Sequence, residues 1–298
     1  MIILTPHCNR IDYIYFQLQS LKKFLKEPFD YICINDGKGQ NRIDIENACK
    51  HLNITCANVP DEIRQNRRLV FPNTQQLKAR NPSTRHTVAL QYAYNKIAHI
   101  KDYVMILDSD LFLTASFSIE EYLKDHDLGY VEQTRKNIKY MWPGLVMLNN
   151  KNLPNPHEIC FDCGKVNGIN TDTGGWSHFY LQKYPDIKKR NIEWTGPGNS
   201  INYLIENKIP NNDLLEYLKE KVKINNKHNY RKDDPDNPHS EIGATVFLHF
   251  RIGSNWEGNS LNFHKDHQVS LYQYLSKICD LSMITFDQIR LTQKFLRT

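Results

Sequence analysis

The sequence of 298 residues has no long hydrophobic run, no block of like charge and no internal repeat. The opening MIILTPHCNR contains a short apolar stretch but lacks the basic flank, long apolar core and small-residue cleavage site of a secretory signal. No stretch approaches the roughly 20 apolar residues that a membrane-spanning helix needs. We therefore expect a cytoplasmic protein that is soluble or peripherally associated with a membrane.

Cysteine is sparse and odd in number, with seven residues that lie mostly in apolar stretches such as YICIND and NITCANV. This usage indicates reduced core thiols and excludes a disulfide framework. Cys160 and Cys163 form a CxxC motif, but no second pair follows at the spacing of a zinc ribbon. A structural zinc site is therefore not predicted.

Charge of either sign is also not in large excess, since 38 Lys and Arg against 33 Asp and Glu leave a net charge of +5. This value is too small to indicate nucleic acid as the main partner, although it suits an anionic small molecule. Hydrophobic residues make up 40% of the chain, which excludes wholesale disorder and predicts a folded core.

The first half of the chain alternates between short apolar runs and helical patterns. Strands are expected at residues 2–5, in FDYICINDG and in ITCANV, with a helix from Ile11 that ends before Pro28 and another near residues 41–52. A long loop is expected at residues 60–82, and Ser83 is expected to cap the next helix. The alternation predicts an α/β fold with a mostly parallel, Rossmann-like sheet covered by helices on both faces.

Two carboxylates end an apolar strand in YVMILDSDLFLT. Side chains at positions i and i+2 of an extended segment point the same way, so Asp108 and Asp110 are expected to converge where the strand ends. Adjacent carboxylates repel each other unless a cation lies between them or one is protonated. The carboxyl ends of strands are also where open α/β sheets bind ligands. The pair therefore predicts a site for Mg²⁺ or Mn²⁺ with a bound diphosphate, although a helix cap beside a solvated Asp would give the same short pattern.

The order of three motifs resembles the glycosyltransferases of the GT-A fold. MIILTPHCNR is similar to their first strand and donor-binding loop, ICINDG to the strand whose Asp meets the nucleotide base, and MILDSD to their metal-binding DxD strand. These motifs cover about residues 1–115, which the resemblance makes the nucleotide-sugar-binding half of a single domain. Residues 116–298 would be the acceptor-binding half, with a late metal and phosphate loop.

The resemblance also implies roles for residues after the DxD motif. WPG at residues 142–144 is similar to a glycine loop near the acceptor, and Asp172 in TDTGG corresponds to the catalytic base of inverting members. TDTGG departs from the usual paired-acid motif. His249 in FLHFRIGSNW corresponds to a late metal ligand.

The residues around His249 support that role on chemical grounds. ATVFLHF is an apolar strand, and the residues after it bring an imidazole, a guanidinium and backbone amides close together. Arg251 could bind a phosphate through two hydrogen bonds, and His249 could bind a metal through one ring nitrogen. A core histidine followed by an ordinary turn is the structural alternative. The metal set is thus expected to be Asp108, Asp110 and His249.

Further donor contacts are expected at the first strand and at the helix before the DxD strand. His7 and Asn9 would approach the nucleoside, while Arg85 with His86 would face the phosphates or sugar. Asp36 favours a uridine base through the resemblance. The predicted donor-binding set is Thr5, His7, Asn9, Asp36, Arg85, Asp108, Ser109, Arg251, Ser254 and Asn255.

These features predict a metal-dependent glycosyltransferase of glycan synthesis that moves a sugar from a nucleotide donor, with UDP favoured, to an acceptor hydroxyl. A phosphatase of the haloacid dehalogenase type is an alternative, but Phe112 stands where that family has Thr or Val. A sugar-nucleotide-forming nucleotidyltransferase would need a glycine-rich opening with Arg and Lys, which IILTPHCNR lacks. A non-catalytic module that holds a nucleotide sugar or glycan also remains open. The sequence does not decide between inversion and retention, nor which sugar is moved.

Overall fold

The computed structural model describes residues 1–72, 82–97, 101–195, 197–209, 211–227, 241–243, 246–250 and 261–281. The strands are β1 Ile2–His7, β2 Asp30–Asn35, β3 Thr55–Asn58, β4 Tyr103–Leu107, β5 Leu111–Leu113, β6 Leu128–Arg135, β7 Ile138–Asn149, β8 Gly164–Val166, β9 Ile169–Thr171, β10 Lys189–Asn191, β11 Trp194–Thr195, β12 Glu241–Gly243 and β13 Phe247–His249. The helices are α1 Ile11–Phe24, α2 Gln40–Leu52, α3 Asp61–Gln65, α4 Pro82–Ile97, α5 Ile119–Tyr122, α6 Ser177–Lys183, α7 Pro197–Glu206, α8 Asn212–Lys227 and α9 Leu261–Ile278. Single 3₁₀ turns lie at Arg67–Leu69 and Pro156–Glu158.

Contacts within the chain group the residues into two units. The first unit comprises residues 1–11, 27–109 and 118–192, and the second comprises residues 12–26, 110–117 and 193–298. The prediction of one domain with two functional halves is not tested by this grouping and stays a prediction.

The first unit contains a seven-stranded sheet in the order β10-β6-β7-β4-β1-β2-β3. Strands β1, β2, β3 and β4 pair in parallel, as do β6 and β10, whereas β7 runs antiparallel to both of its neighbours. All six residues of β1 are buried, and because alternate side chains of a strand point to opposite faces, both faces of the sheet are covered there. The predicted α/β fold with a mostly parallel sheet is confirmed.

The second unit contains an antiparallel sheet in the order β11-β12-β13-β5. Its core is formed by aromatic and aliphatic side chains of α1, β5, α7, α8, β13 and α9. Tyr13 of α1 packs edge-on against Phe112 and Phe250, with ring centroids 5.6 and 6.3 Å apart. Acidic Asp12 in the first turn and basic Lys22 and Lys23 in the last turn favour α1 through the helix dipole.

Several expected boundaries differ from the observed ones. The region expected to be a loop at residues 60–82 contains α3 and the turn Arg67–Leu69, which are too short to show a helical period in the sequence. Ser83 lies inside α4 instead of capping it, since Pro82 already occupies the first helical position, where its missing N–H costs nothing. All seven cysteines are free thiols.

Candidate functional site

The DxD motif forms a turn directly after β4. The Asp108 N–H donates to the Gly144 carbonyl (2.8 Å), and the Asp108 Oδ1 accepts the Ser109 N–H (2.9 Å). The chain then enters β5 at Leu111. The motif is thus a tight turn between two strands, so both aspartates lie beyond the carboxyl end of a strand whose last four residues are buried.

Strand β7 is irregular beside this turn. Tyr130 of β6 pairs with Val146, but the next residue, Val131, pairs with Trp142, so the intervening β7 residues form a bulge. Gly144 lies in this bulge, and a Cβ added to it would fall 1.9 Å from the Trp142 indole. The indole therefore packs on the Gly144 backbone, which in turn holds Asp108. Bulges of this kind are common beside active sites, where they redirect side chains.

His249 and Asp110 come together through the pairing of β13 with β5 inside the second unit. His249 is opposite Leu111 in the register, and the Phe250 N–H donates to the Asp110 carbonyl (2.7 Å). The His249 Nε2 lies 3.2 Å from the Asp110 Oδ1, and both residues are buried. The backbone ladder therefore fixes the distance between these two side chains.

Asp108, Asp110 and His249 each offer a ligand atom, and the three atoms lie within 4.8 Å of one another. Two carboxylates this close repel each other unless a cation or a proton intervenes. Carboxylate oxygens are the donors that Mg²⁺ and Mn²⁺ prefer, and one imidazole suits a first-row transition metal. The donor set therefore fits the predicted divalent cation, while the ligand role of each residue stays a prediction.

Asp36 follows β2 and is held by two arginines. Its Oδ2 lies 2.7 Å from the Arg85 Nε and its Oδ1 lies 3.3 Å from the Arg64 Nε. Burial raises the pKa of the Asp36 carboxyl above 3.8, and the charges of Arg85 and Arg64 oppose that rise. Arg85, which was expected to face the phosphates or sugar of the donor, thus pairs with Asp36, which was expected to meet the nucleotide base.

The end of β1 contains the other predicted donor residues. The buried His7 Nε2 lies 3.1 Å from the Thr5 Oγ1 and 3.2 Å from the Tyr31 hydroxyl. Asn9 is exposed, and its Oδ1 accepts a hydrogen bond from the Cys8 thiol (3.4 Å). The parallel register places Thr5 and His7 beside Cys33 and Asn35 of β2, at the edge where Asp36 lies.

Asp172 lies in a loop between β9 and α6. Its Oδ1 accepts the Thr173 N–H (2.8 Å), and its own N–H donates to the Tyr140 hydroxyl (3.4 Å). Gly174 adopts φ +88°, and a Cβ there would lie 1.9 Å from the Met141 carbonyl oxygen. Only glycine fits at this position, and it keeps the loop against β7 close to the bulge that holds Asp108.

The remaining predicted residues have different outcomes. Ser109 is buried within the DxD turn. Arg251, Ser254, Asn255 and the late phosphate loop lie outside the described residues.

Sequence reasoning missed three charged residues near these sites. Arg64 pairs with Asp36, and Arg67 pairs with the fully buried Asp162. The only signal was the four arginines between residues 60 and 82, which gave no partner for any of them.

Several solved structures that are similar to this chain are glycosyltransferases. They include the galactosyltransferase LgtC with donor and acceptor sugar analogs (16% identity, 64% of this chain and 67% of that chain, TM-score 0.34). GlyE of Streptococcus pneumoniae TIGR4 matches at 14% identity, over 94% of this chain and 62% of that chain, with TM-score 0.39. Mouse xyloside xylosyltransferase 1 matches at 10% identity, over 65% of this chain and 86% of that chain, with TM-score 0.40.

At these identities and TM-scores the matches support no conclusion about activity, which has to rest on the residues of the site. No protein-family model and no curated protein sequence matches the chain. Among the described residues, none of the helices has both the length and the apolar character needed to span a bilayer.

Proposed function

We propose that this protein is a metal-dependent glycosyltransferase that moves a sugar from a nucleotide donor, with UDP favoured, to an acceptor hydroxyl. The grouping of Asp108, Asp110 and His249 beyond the end of β4 carries the proposal. A buried carboxylate and a buried imidazole beside a second, partly exposed carboxylate form a poor arrangement for stability alone, because desolvation penalises each ionised group. It becomes favourable when a cation with a bound diphosphate completes it.

Asp108, Asp110 and His249 would hold the divalent cation, which supplies charge neutralisation for a departing diphosphate. Asp110 and His249 are pre-oriented for this by the β5 and β13 ladder, so binding requires little rearrangement. The Gly144 carbonyl fixes the backbone of Asp108 and so the direction of its side chain.

Asp172 would accept the proton of the acceptor hydroxyl if the reaction inverts the sugar's configuration. The described hydrogen bonds to its carboxylate use Oδ1, from the Thr173 N–H (2.8 Å) and the Thr173 hydroxyl (3.5 Å). These bonds orient the carboxylate. Gly174, two residues on, keeps the loop close to β7. A retaining reaction would not need this base.

Asp36 and Arg85 would form the nucleoside end of the donor site. The two-arginine environment keeps the Asp36 side chain in a fixed orientation, which suits recognition of a base edge. A uridine donor is favoured because a carboxylate can accept the N3–H of uracil.

The test is a donor screen with purified protein, Mn²⁺ and a panel of sugar nucleotides, with free nucleotide and transferred sugar as the readouts. Metal-dependent release that is lost in Asp110→Asn would support the proposal. Metal-dependent binding without release or transfer for any donor would favour the binding module. Release of phosphate from simple phosphate esters, with no use of sugar nucleotides, would favour the phosphatase.

A further inference from the structure

The short segment of α3 and the following 3₁₀ turn contains two arginines three residues apart. The Arg64 and Arg67 side chains are only 8% and 10% exposed. Arginine is rarely buried unless it is paired. Each of these side chains has a specific partner: Asp36 belongs to the proposed site, and Asp162 lies in the segment that holds the Asp172 loop.

Arg64 contacts the end of β2. Its Nη2 donates to the Asn35 carbonyl (3.1 Å), and its Nε lies 3.3 Å from the Asp36 Oδ1. A guanidinium is rigid and planar, so its hydrogen bond to the Asn35 carbonyl holds the charged group beside the Asp36 carboxylate. This is the nucleoside end of the proposed donor site.

Arg67 contacts the irregular segment before β8, which comprises residues 159–163. It pairs with the fully buried Asp162 carboxylate and donates to the Cys163 carbonyl (3.0 Å). The Asp162 Oδ1 also accepts the Cys163 N–H (2.7 Å). Because this segment has neither a helix nor a strand ladder, side-chain contacts hold its conformation: the Arg67 pair, and Gln91, which bonds the Ile159 carbonyl and the Phe161 N–H.

The same segment holds the Asp172 loop by two backbone hydrogen bonds. The Phe161 carbonyl accepts the Gly174 N–H (2.9 Å), and the Asp162 carbonyl accepts the Trp176 N–H (3.0 Å). Arg67 is thus separated from the loop by one ion pair and one backbone hydrogen bond.

We propose that Arg64 and Arg67 are positioning residues, with Arg64 setting the nucleotide-reading carboxylate of Asp36 and Arg67 setting the loop that carries Asp172. The roles of Asp36 in nucleotide binding and of Asp172 in catalysis rest on the proposed function. The short segment with Arg64 and Arg67 then fixes the positions of both the Asp36 carboxylate and the Asp172 loop within the first unit. Loss of Arg64 affects donor binding, whereas loss of Arg67 affects sugar transfer.

The first test is hydrogen exchange on Arg67→Met and on the matched surface variant Arg68→Met, whose side chain is exposed. Faster exchange of the Gly174 and Trp176 amides is expected in Arg67→Met alone, with exchange in β1 and β4 unchanged. Exchange at those two amides equal to that of the wild type would overturn the role of Arg67.

The second test is steady-state kinetics with the donor that the screen identifies. Arg67→Met is expected to lower sugar transfer about 100-fold while donor hydrolysis and the donor KM change little, because a misplaced base affects only acceptor attack. Arg64→Met is expected to raise the donor KM. An equal loss of hydrolysis and transfer in Arg67→Met would show a merely structural role.

Removal of Arg67 leaves Asp162 charged and buried, which can prevent folding. The double variant Arg67→Met, Asp162→Asn removes both charges while an oxygen remains to accept the Cys163 N–H. It is expected to fold and to keep the fast exchange at Gly174 and Trp176, whereas wild-type exchange would refute the proposal. If the wild type uses no donor, the proposed function fails, yet the exchange experiment still decides what Arg67 holds.

Discussion

The His249 Nε2 lies 3.2 Å from the Asp110 Oδ1, and the backbone ladder between β13 and β5 sets this distance. Both side chains are buried, so the pair is screened little by solvent. An imidazole that serves as a metal ligand must be neutral. A cation bound at this position would therefore compete with protons for His249.

Asp110→Asn should abolish metal-dependent donor turnover, with a loss of about 100-fold or more, because several kcal/mol of leaving-group stabilisation depend on the cation. Thermal unfolding provides a second measurement. Mn²⁺ with a nucleoside diphosphate should raise the Tm of the wild type but not that of the variant.

The matched control for Asp110 is Asp102→Asn. Asp102 is exposed and pairs with Lys151 (2.9 Å), so its removal should leave both turnover and the Mn²⁺-dependent Tm shift intact. Turnover by Asp110→Asn in the presence of a strong chelator would refute the metal site.

Asp172→Asn should lower sugar transfer by about 100- to 10,000-fold if Asp172 is the general base. Donor binding and slow donor hydrolysis should persist, because the asparagine oxygen can still accept the Thr173 N–H that orders the loop. Titration calorimetry with donor and a transfer assay would separate these effects. The control is the exposed Asp125→Asn, and unchanged transfer in Asp172→Asn would point to a retaining reaction.

Gly174→Ala should destabilise the protein more than Gly168→Ala. Both glycines have positive φ, +88° and +81°, which costs an alanine about 1 to 2 kcal/mol. A Cβ at residue 174 would also lie 1.9 Å from the Met141 carbonyl oxygen, whereas a Cβ at residue 168 would meet nothing within 4 Å. Urea unfolding should show an additional loss of about 1 to 3 kcal/mol for Gly174→Ala. Equal losses would mean that the loop can move away from β7.

Arg85→Met should raise the pKa of the Asp36 carboxyl further. Burial already raises it above 3.8, and the guanidinium of Arg85 is the largest opposing charge. A carboxyl whose pKa is raised on folding contributes stability at pH values below its unfolded pKa, and this contribution is lost as the pH rises through the folded pKa. In Arg85→Met, this stability contribution should therefore be lost at a higher pH than in the wild type.

Carboxyl ¹³C NMR titration of Asp36 measures this change directly. Lys96→Met removes an exposed cation from the last turn of the same helix and should leave the pKa of Asp36 unchanged. A lower pKa of Asp36 in Arg85→Met would contradict the assignment of the ion pair.

The parallel part of the fold was predictable because each strand is a continuous apolar run followed by polar residues. Ile2, Asp30 and Tyr103 begin strands close to the expected positions. The sheet of β5, β11, β12 and β13 was not predicted as a unit, because its strands are two or three residues long and gain stability from one another.

The candidate site was predictable where local pattern carries chemistry. Asp108 and Asp110 follow one apolar run and His249 ends another, so the positions of all three residues at strand ends could be predicted from the sequence. The pairing of Arg67 with Asp162 could not, because it joins a 3₁₀ turn to an irregular segment 95 positions away. Such a pair produces no periodic sequence pattern from which it could be predicted.

The pairing of Leu111 with His249 also determines when the site can form during synthesis. The ribosome releases β5 long before it makes β13, so the nascent chain carries the DxD turn without its imidazole partner. A cation site made of all three side chains would therefore be complete only after His249 has emerged.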